Sequence, residues 1–310
     1  MNGKIFVSIA SYRDPELPKT VENLISNAEY PKLLRVVVYE QNAPEDPSIL
    51  NIYPKDQVLV LHDHFSLAKG PNWARAKIQK EHQDEEYYLQ IDSHMRTIKN
   101  WDTILKHMLD LLPEPAILTQ YPPEYDSEKL DHDKIRSGLY IQGFGPKDRF
   151  TRIQSDIIDP KNKRYFPYTS KAWSACFSFS KASIIKDAPY DPTFKHLFFG
   201  EELDITLRLY TRGYYFFSPH ISVFYTKFKR DYRRTYWQDI PNSEREPLEQ
   251  NSRSKLHKRI LENEISDTGF GTVRSIKDYM KFAHIDSFKD CKMNKDAKTF
   301  KRYTERPLLR

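Results

Sequence analysis

The stretch YYLQIDSHMR, residues 87–96, holds the residues whose types and spacing have the clearest chemical content. An apolar run that reads as a strand ends in Asp92, Ser93 and His94. In extended chain, residues two apart point to the same side, so the Asp92 carboxylate and the His94 imidazole converge while Ser93 faces away. One oxygen and one nitrogen ligand suit Mn²⁺ better than Mg²⁺, which prefers all-oxygen surroundings. Diphosphate oxygens and water would complete such a site. The plain alternative is that Asp92 or Ser93 caps the next helix and His94 lies on the surface.

Other residues compete for attention. Glu201, Glu202 and Asp204 in FFGEELDIT open a helical pattern, where acidic groups also simply complement the helix dipole. His62-Asp63-His64 has metal-like spacing but ends a strand just before Lys69, which fits a solvated or nucleotide-facing turn. Cys176 has no adjacent base and reads as a small buried residue, and Trp173 in AWSACF reads as core. The basic run from Lys227 to Arg234 reads as a solvated face, or as a guide for an acidic acceptor or a diphosphate.

The elements that must position these residues alternate in type. KIFVSIASY is a strand, and PELPKTVENLISNA follows with Leu17, Val21, Leu24 and Ile25 on one helical face. LLRVVVYEQN and DQVLVLHDH are further strands, GPNWARAKIQKEHQ a helix, and EYYLQID the strand that ends at Asp92. This alternation predicts an α/β fold with a mostly parallel, Rossmann-like central sheet flanked by helices. Trp101, Leu105, Leu109 and Leu112 line one face of a helix that Pro113 stops. Gln120 to Ser170 shows little periodicity and reads as irregular connecting structure. After it come AWSACFSFSKASII, a helix over GEELDITLRLYTRG capped by Gly213, and at least one strand in YYFFSPHISVFYTKF. The expected organisation is one domain over 1–290, with a nucleotide-binding half (1–112), a sugar- and acceptor-binding half (113–290), and a basic tail over 291–310.

Composition narrows the classes. Aromatic residues make up 14 % of the 310, which a disordered chain does not show. A net charge of +6 favours an anionic partner, yet 49 basic against 43 acidic residues make a mixed surface, so nucleic acid is not the expected ligand. Two cysteines, Cys176 and Cys291, exclude a disulfide framework and a zinc-finger spacing. No stretch has the length of a membrane span or a signal-peptide core, which points to a cytoplasmic protein with no membrane partner.

The block GPNWARAKIQKEHQDEEYYLQIDSHMRTIKNWD resembles the donor-site block of the cytoplasmic polypeptide N-acetylglucosaminyltransferases that modify hydroxyproline on Skp1-type proteins, glycosyltransferase family 60. More distantly it is similar to the mucin-type polypeptide N-acetylgalactosaminyltransferases. IFVSIASYRDPEL, AWSACFSFS, PYDPTFKHLFFGEELDIT and GTVRSIKDYMKF agree in order, so the resemblance runs from about residue 4 to 286. It implies a GT-A fold, a metal-dependent UDP-sugar donor, UDP-GlcNAc above all, and a retaining transfer to a hydroxyl of a protein or glycan. It also implies that Asp92 and His94 hold the metal and that Arg13, Glu40, Lys69, Arg75, Asp92, Ser93 and Trp173 surround the nucleotide sugar. Glu201 would touch the sugar, with Glu202 and Asp204 nearby. One departure stands out: where the mucin-type enzymes place a third metal ligand, a His, this chain has Tyr225. Two rivals remain at this stage, a GT-A-like binding module that uses a basic surface and a UDP-sugar hydrolase.

Overall fold

The structure, a computed structural model, describes residues 3–125, 130–159, 161 and 165–294. Its first half follows the expected alternation: β1 (Ile5–Tyr12), α1 (Leu17–Ser26), β2 (Leu34–Asn42), β3 (Val58–His64), α2 (Pro71–Gln79) and β4 (Tyr87–Asp92). Along β1, Ile5, Val7 and Ile9 enter one core with Leu17, Val21 and Leu24 of α1, and Phe6 enters the core on the opposite face. A strand covered on both faces has no side to give to water, which is why β1 is mostly apolar and its two serines, Ser8 and Ser11, are buried as well. β5 (Met95–Thr97) and α3 (Trp101–Asp110) follow, and the buried Trp101 indole donates to the Leu24 carbonyl at 2.8 Å. Then comes β6 (Ala116–Thr119).

The stretch expected to be irregular contains β7 (Tyr140–Phe144), β8 (Thr151–Gln154) and β9 (Tyr168–Ser170). Strands of three to five residues are too short for an alternating pattern to stand out from loop sequence. β10 (Phe177–Lys181), α4 (Ser183–Asp187), α5 (Glu201–Thr211), β11 (Tyr215–Ser218) and β12 (Phe224–Thr226) come next. Gly213, at φ +94°, takes the left-handed position just past α5. The chain closes with α6 (Tyr236–Asp239), α7 (Asn242–Glu262), α8 (Ile276–Ala283) and the pair β13 (Ile285–Ser287) and β14 (Lys292–Met293). Of the expected tail, Lys292 and Met293 are thus in a strand, and residues 295–310 lie outside the described residues. Among the described residues no helix is long and apolar enough to cross a membrane.

The eight-stranded main sheet runs β3-β2-β1-β4-β10-β6-β11-β9. β3, β2, β1 and β4 are parallel, as are β6 and β11, whereas β10 is antiparallel to both of its neighbours. Strand order reverses at β1, with β2 on one side and β4 on the other. Connections leaving the carboxyl ends of these strands diverge and open a crevice, the usual ligand position in such sheets. Asp92, the last residue of β4, stands at that crevice.

Candidate active site

A cavity of about 240 Å³ lies over the carboxyl ends of β1 and β4, with Ser11, Arg75, Asp92 and His94 in its walls. His94 Nδ1 lies 2.7 Å from Asp14 Oδ2, and His94 Nε2 lies 3.5 Å from Asp92 Oδ2. Asp14 is buried and also accepts from Ser93 Oγ at 2.7 Å. Burial pushes the Asp14 carboxyl up, but the bond and charge of His94, then Arg233 and Ser93, outweigh it and hold it well below the usual range. It is therefore a fixed anion that holds the Nδ1 proton, and Nε2 faces Asp92; burial pulls the His94 pKa down, but the bonds to Asp14 and Asp92 outweigh it and raise it. Burial likewise opposes ionisation of Asp92, and His94, Arg75 and Arg230 reverse it, so this carboxyl too is held below its ordinary value. Ser93 does not face away as period-two spacing predicts. The chain bends after Asp92, strand alternation stops there, and Ser93 joins the cavity wall.

Beneath this pair lies a second charged layer. Arg75 of α2 is buried, donates to Glu201 Oε1 and to the Ala175 carbonyl (3.1 Å), and reaches Asp92 Oδ1 at 3.4 Å. Glu201 also accepts from Tyr190 OH at 2.8 Å. Gly70 brings α2 to this place: at φ +89° it sits so close to His196 that a Cβ would come within 3.0 Å of the His196 Cα.

The segment between β12 and α6 forms a strap over the opening. Arg230 Nη2 lies 2.5 Å from His94 Nε2, and Arg233 donates to the Tyr12 carbonyl at 2.7 Å while its Nε lies 3.4 Å from Asp14. Farther along, Asp239 accepts from Tyr12 OH (3.1 Å), Arg13 Nη1 (3.3 Å) and Arg234 Nε (2.5 Å). Tyr236 of α6 meets His196 Nδ1, and burial, with Arg245, Lys195 and Lys69 nearby, pulls the His196 pKa down to about 4. His196 is thus a neutral latch between the strap and the loop before α5.

A profile of the family described as Glycosyltransferase (GlcNAc) matches residues 4–56 and 50–289. The chain belongs to this family. Among solved structures, GalNAc-T7 with UDP, GalNAc and Mn²⁺ is 16 % identical, with a TM-score of 0.57 over 93 % of this chain and 56 % of that one. S. aureus TarS 1–349 in complex with UDP-GlcNAc is 14 % identical, with a TM-score of 0.54 over 85 % of this chain and 68 % of that one. This chain spans little more than half of the GalNAc-T7 chain it matches. Identities this low carry the fold alone, and that fold is GT-A. No curated protein sequence matches.

The structure gathers Arg75, Asp92, Ser93 and His94 of the glycosyltransferase in one cavity wall, with Glu201 directly behind Arg75. Others lie apart from it. Asp204 turns from the cavity to Arg259 (3.0 Å) and Arg208 (3.5 Å), and Arg259 also reaches Asp191 at 3.1 Å. Trp173 is core: it is 2 % exposed and donates to Ser178 Oγ at 2.8 Å. Glu40 is buried and accepts from Ser48 Oγ (2.5 Å) and Ile49 N–H (2.8 Å), while its neighbour Gln41 lines the cavity. Arg13 stacks on Phe65 and pairs with Asp46, Glu45 and Asp239, so it anchors the strap. Lys69 lies over the Trp73 ring, and its carbonyl accepts from His196 N–H at 2.6 Å. His62, Asp63 and His64 are not a turn but the last residues of β3, where Asp63 pairs with Lys77 at 2.7 Å and His64 with Ser66 Oγ at 2.7 Å. Tyr225 points its hydroxyl at the Asp131 carbonyl (3.2 Å) and His132 (3.3 Å), away from His94. Arg230 stands there instead. Sequence reasoning did not single out Asp14, His196, Arg230, Arg233 or Tyr236; an acidic residue just past a strand end and ahead of Pro15 was the available signal for Asp14.

Glu202 accepts from Tyr121 OH (2.9 Å) and the Ala175 N–H (3.0 Å). Burial, with a smaller push from Glu201, outweighs those bonds and Arg75 and raises its pKa from 4.5 to about 7. Between these values the folded chain keeps a proton that the unfolded chain has lost. This group's contribution to stability therefore falls as pH rises from 4.5 to about 7 and stays low above it. Glu202→Gln is expected to remove that slope: variant stability minus wild-type stability, from urea midpoints, should rise with pH through this window. Parallel curves would show that Glu202 ionises normally.

Proposed function

We propose that this glycosyltransferase moves GlcNAc from UDP-GlcNAc to a hydroxyl of a protein or glycan. The observation that carries it is the Asp14–His94–Asp92 arrangement at the mouth of the crevice. A carboxylate behind an imidazole, with the other ring nitrogen turned to the cavity wall beside a second carboxylate and met there by Arg230, is the donor chemistry of a divalent-metal site once Arg230 moves aside. The donor types fit Mn²⁺, which Asp92 and His94 would hold. Among the described residues no group of three or more His, Cys, Asp and Glu side chains is placed to hold a metal, so diphosphate oxygens and water would have to supply the remaining ligands. When bound, the metal neutralises charge on the departing UDP. The chain's own residues do the rest: Asp14 orients His94, Arg75 adds positive charge beside Asp92, and the strap excludes water above them. The neighbours solved with UDP and Mn²⁺ and with UDP-GlcNAc support this donor class. The resemblance to the transferases that modify hydroxyproline makes hydroxyproline, Ser or Thr the first acceptors to screen.

Both carboxyl groups that open α5 are engaged, Glu201 by Arg75 and Tyr190, Glu202 by Tyr121 and Ala175. Neither is presented bare as a nucleophile, which supports a same-face transfer with retention. The anomeric configuration of the product, read by NMR, tests retention.

Calorimetric titration with UDP and UDP-GlcNAc, each with Mn²⁺ and with chelator, tests the donor site. Binding that needs Mn²⁺ is the expected result. Absence of binding in every condition would overturn the transferase reading.

A further inference from the structure

We propose that the Arg230 guanidinium and the divalent cation are alternative occupants of the same cradle on Asp92 and His94. The proposal rests on Asp92 and His94 being the metal ligands. Arg230 Nη2 stands 2.5 Å from His94 Nε2, the nitrogen left open by the bond from Nδ1 to Asp14. A metal bound to that nitrogen would stand where the guanidinium nitrogen now is, and two cations cannot hold one position beside Asp92. The other cation beside Asp92, Arg75, is fixed by Glu201 and the Ala175 carbonyl and does not compete.

Arg230 can leave without unseating the strap. Its other contact is the Lys227 carbonyl within the strap itself. The strap keeps its hold through Arg233 on the Tyr12 carbonyl and through Asp239 on Tyr12 and Arg13. A side-chain rotation is enough. A displaced guanidinium needs a new anion, and a diphosphate in this cavity provides one with oxygens spaced for two-point binding. Metal alone therefore expels a cation that has no replacement partner, whereas metal and nucleotide together give it one. By linkage, UDP raises the affinity for metal and metal raises the affinity for UDP by the same factor.

The test is Mn²⁺ binding, followed by electron paramagnetic resonance, to wild type, Arg230→Met and Arg230→Lys, each without nucleotide and with saturating UDP. Thermal melts confirm that each variant is folded. Arg230→Met should bind Mn²⁺ without nucleotide about tenfold more tightly than wild type, because a competing charge is gone. The enhancement of Mn²⁺ affinity by UDP should shrink by about the same factor. Arg230→Lys, which keeps a charge, should stay near wild type. If Arg230→Met leaves nucleotide-free Mn²⁺ affinity unchanged or weaker while Mn²⁺-dependent UDP binding persists, the shared cradle is wrong and the donor site stands. If neither wild type nor variant shows Mn²⁺-dependent UDP binding, the donor site falls and the shared cradle falls with it.

Discussion

Asp92→Ala is expected to lower GlcNAc transfer about a thousandfold or more while leaving the fold intact. Asp92 ends β4, its side chain is 24 % exposed, and its N–H bond to the Cys176 carbonyl (3.2 Å) survives the substitution. What disappears are two long contacts, 3.4 Å to Arg75 and 3.5 Å to His94, each worth little to stability at a partly solvated position. In the proposed function the lost carboxylate is, in contrast, the charged metal ligand, and no neighbour replaces it, since Glu201 is held behind Arg75. Turnover with UDP-GlcNAc, Mn²⁺-dependent UDP binding and a melting curve check this together. Near-normal UDP binding with Mn²⁺ would place the metal elsewhere.

Arg75→Met should act in the opposite sense, through stability first. Its removal leaves Glu201, 3 % exposed, with Tyr190 as its remaining side-chain hydrogen-bond partner, and a buried carboxylate stripped of its counter-ion costs about 3–5 kcal/mol. A large drop in the urea midpoint is the expected readout. Adding Glu201→Gln to Arg75→Met should recover much of that loss, because the uncompensated charge is gone. Donor binding should not recover with it, since the cation beside Asp92 stays missing. A single variant as stable as wild type would show that Glu201 does not depend on Arg75.

The sheet was legible where its strands are long. β1 and β2 lie between parallel neighbours and β3 pairs with β2 along its length, and each carries a short apolar run, IFV, VVVY and VLVL. β7, β8 and β9 carry no comparable signal. Within one helical turn, chemistry alone did not separate site from scaffold. Glu201, Glu202 and Asp204 all suit the start of α5, yet one meets Arg75, one meets Tyr121 and Ala175, and one meets Arg259.

The sequence by itself determined the alternation that builds the crevice and put Asp92 and His94 at the end of β4, because hydrophobic periodicity and strand-end chemistry are local properties. Only the tertiary structure decided what surrounds that pair. Asp14 reaches His94 from 80 residues away and Arg230 from 136. Nothing local in the basic run from Lys227 to Arg234 marks which arginines turn inward: Arg230 and Arg233 enter the cavity, while the Arg234 side chain stays 61 % exposed. The physical reason is that a charged side chain on a loop goes where its counter-ions are. Asp14 and Asp92 are brought within reach of Arg233 and Arg230 only when β1, β4 and the strap are packed together.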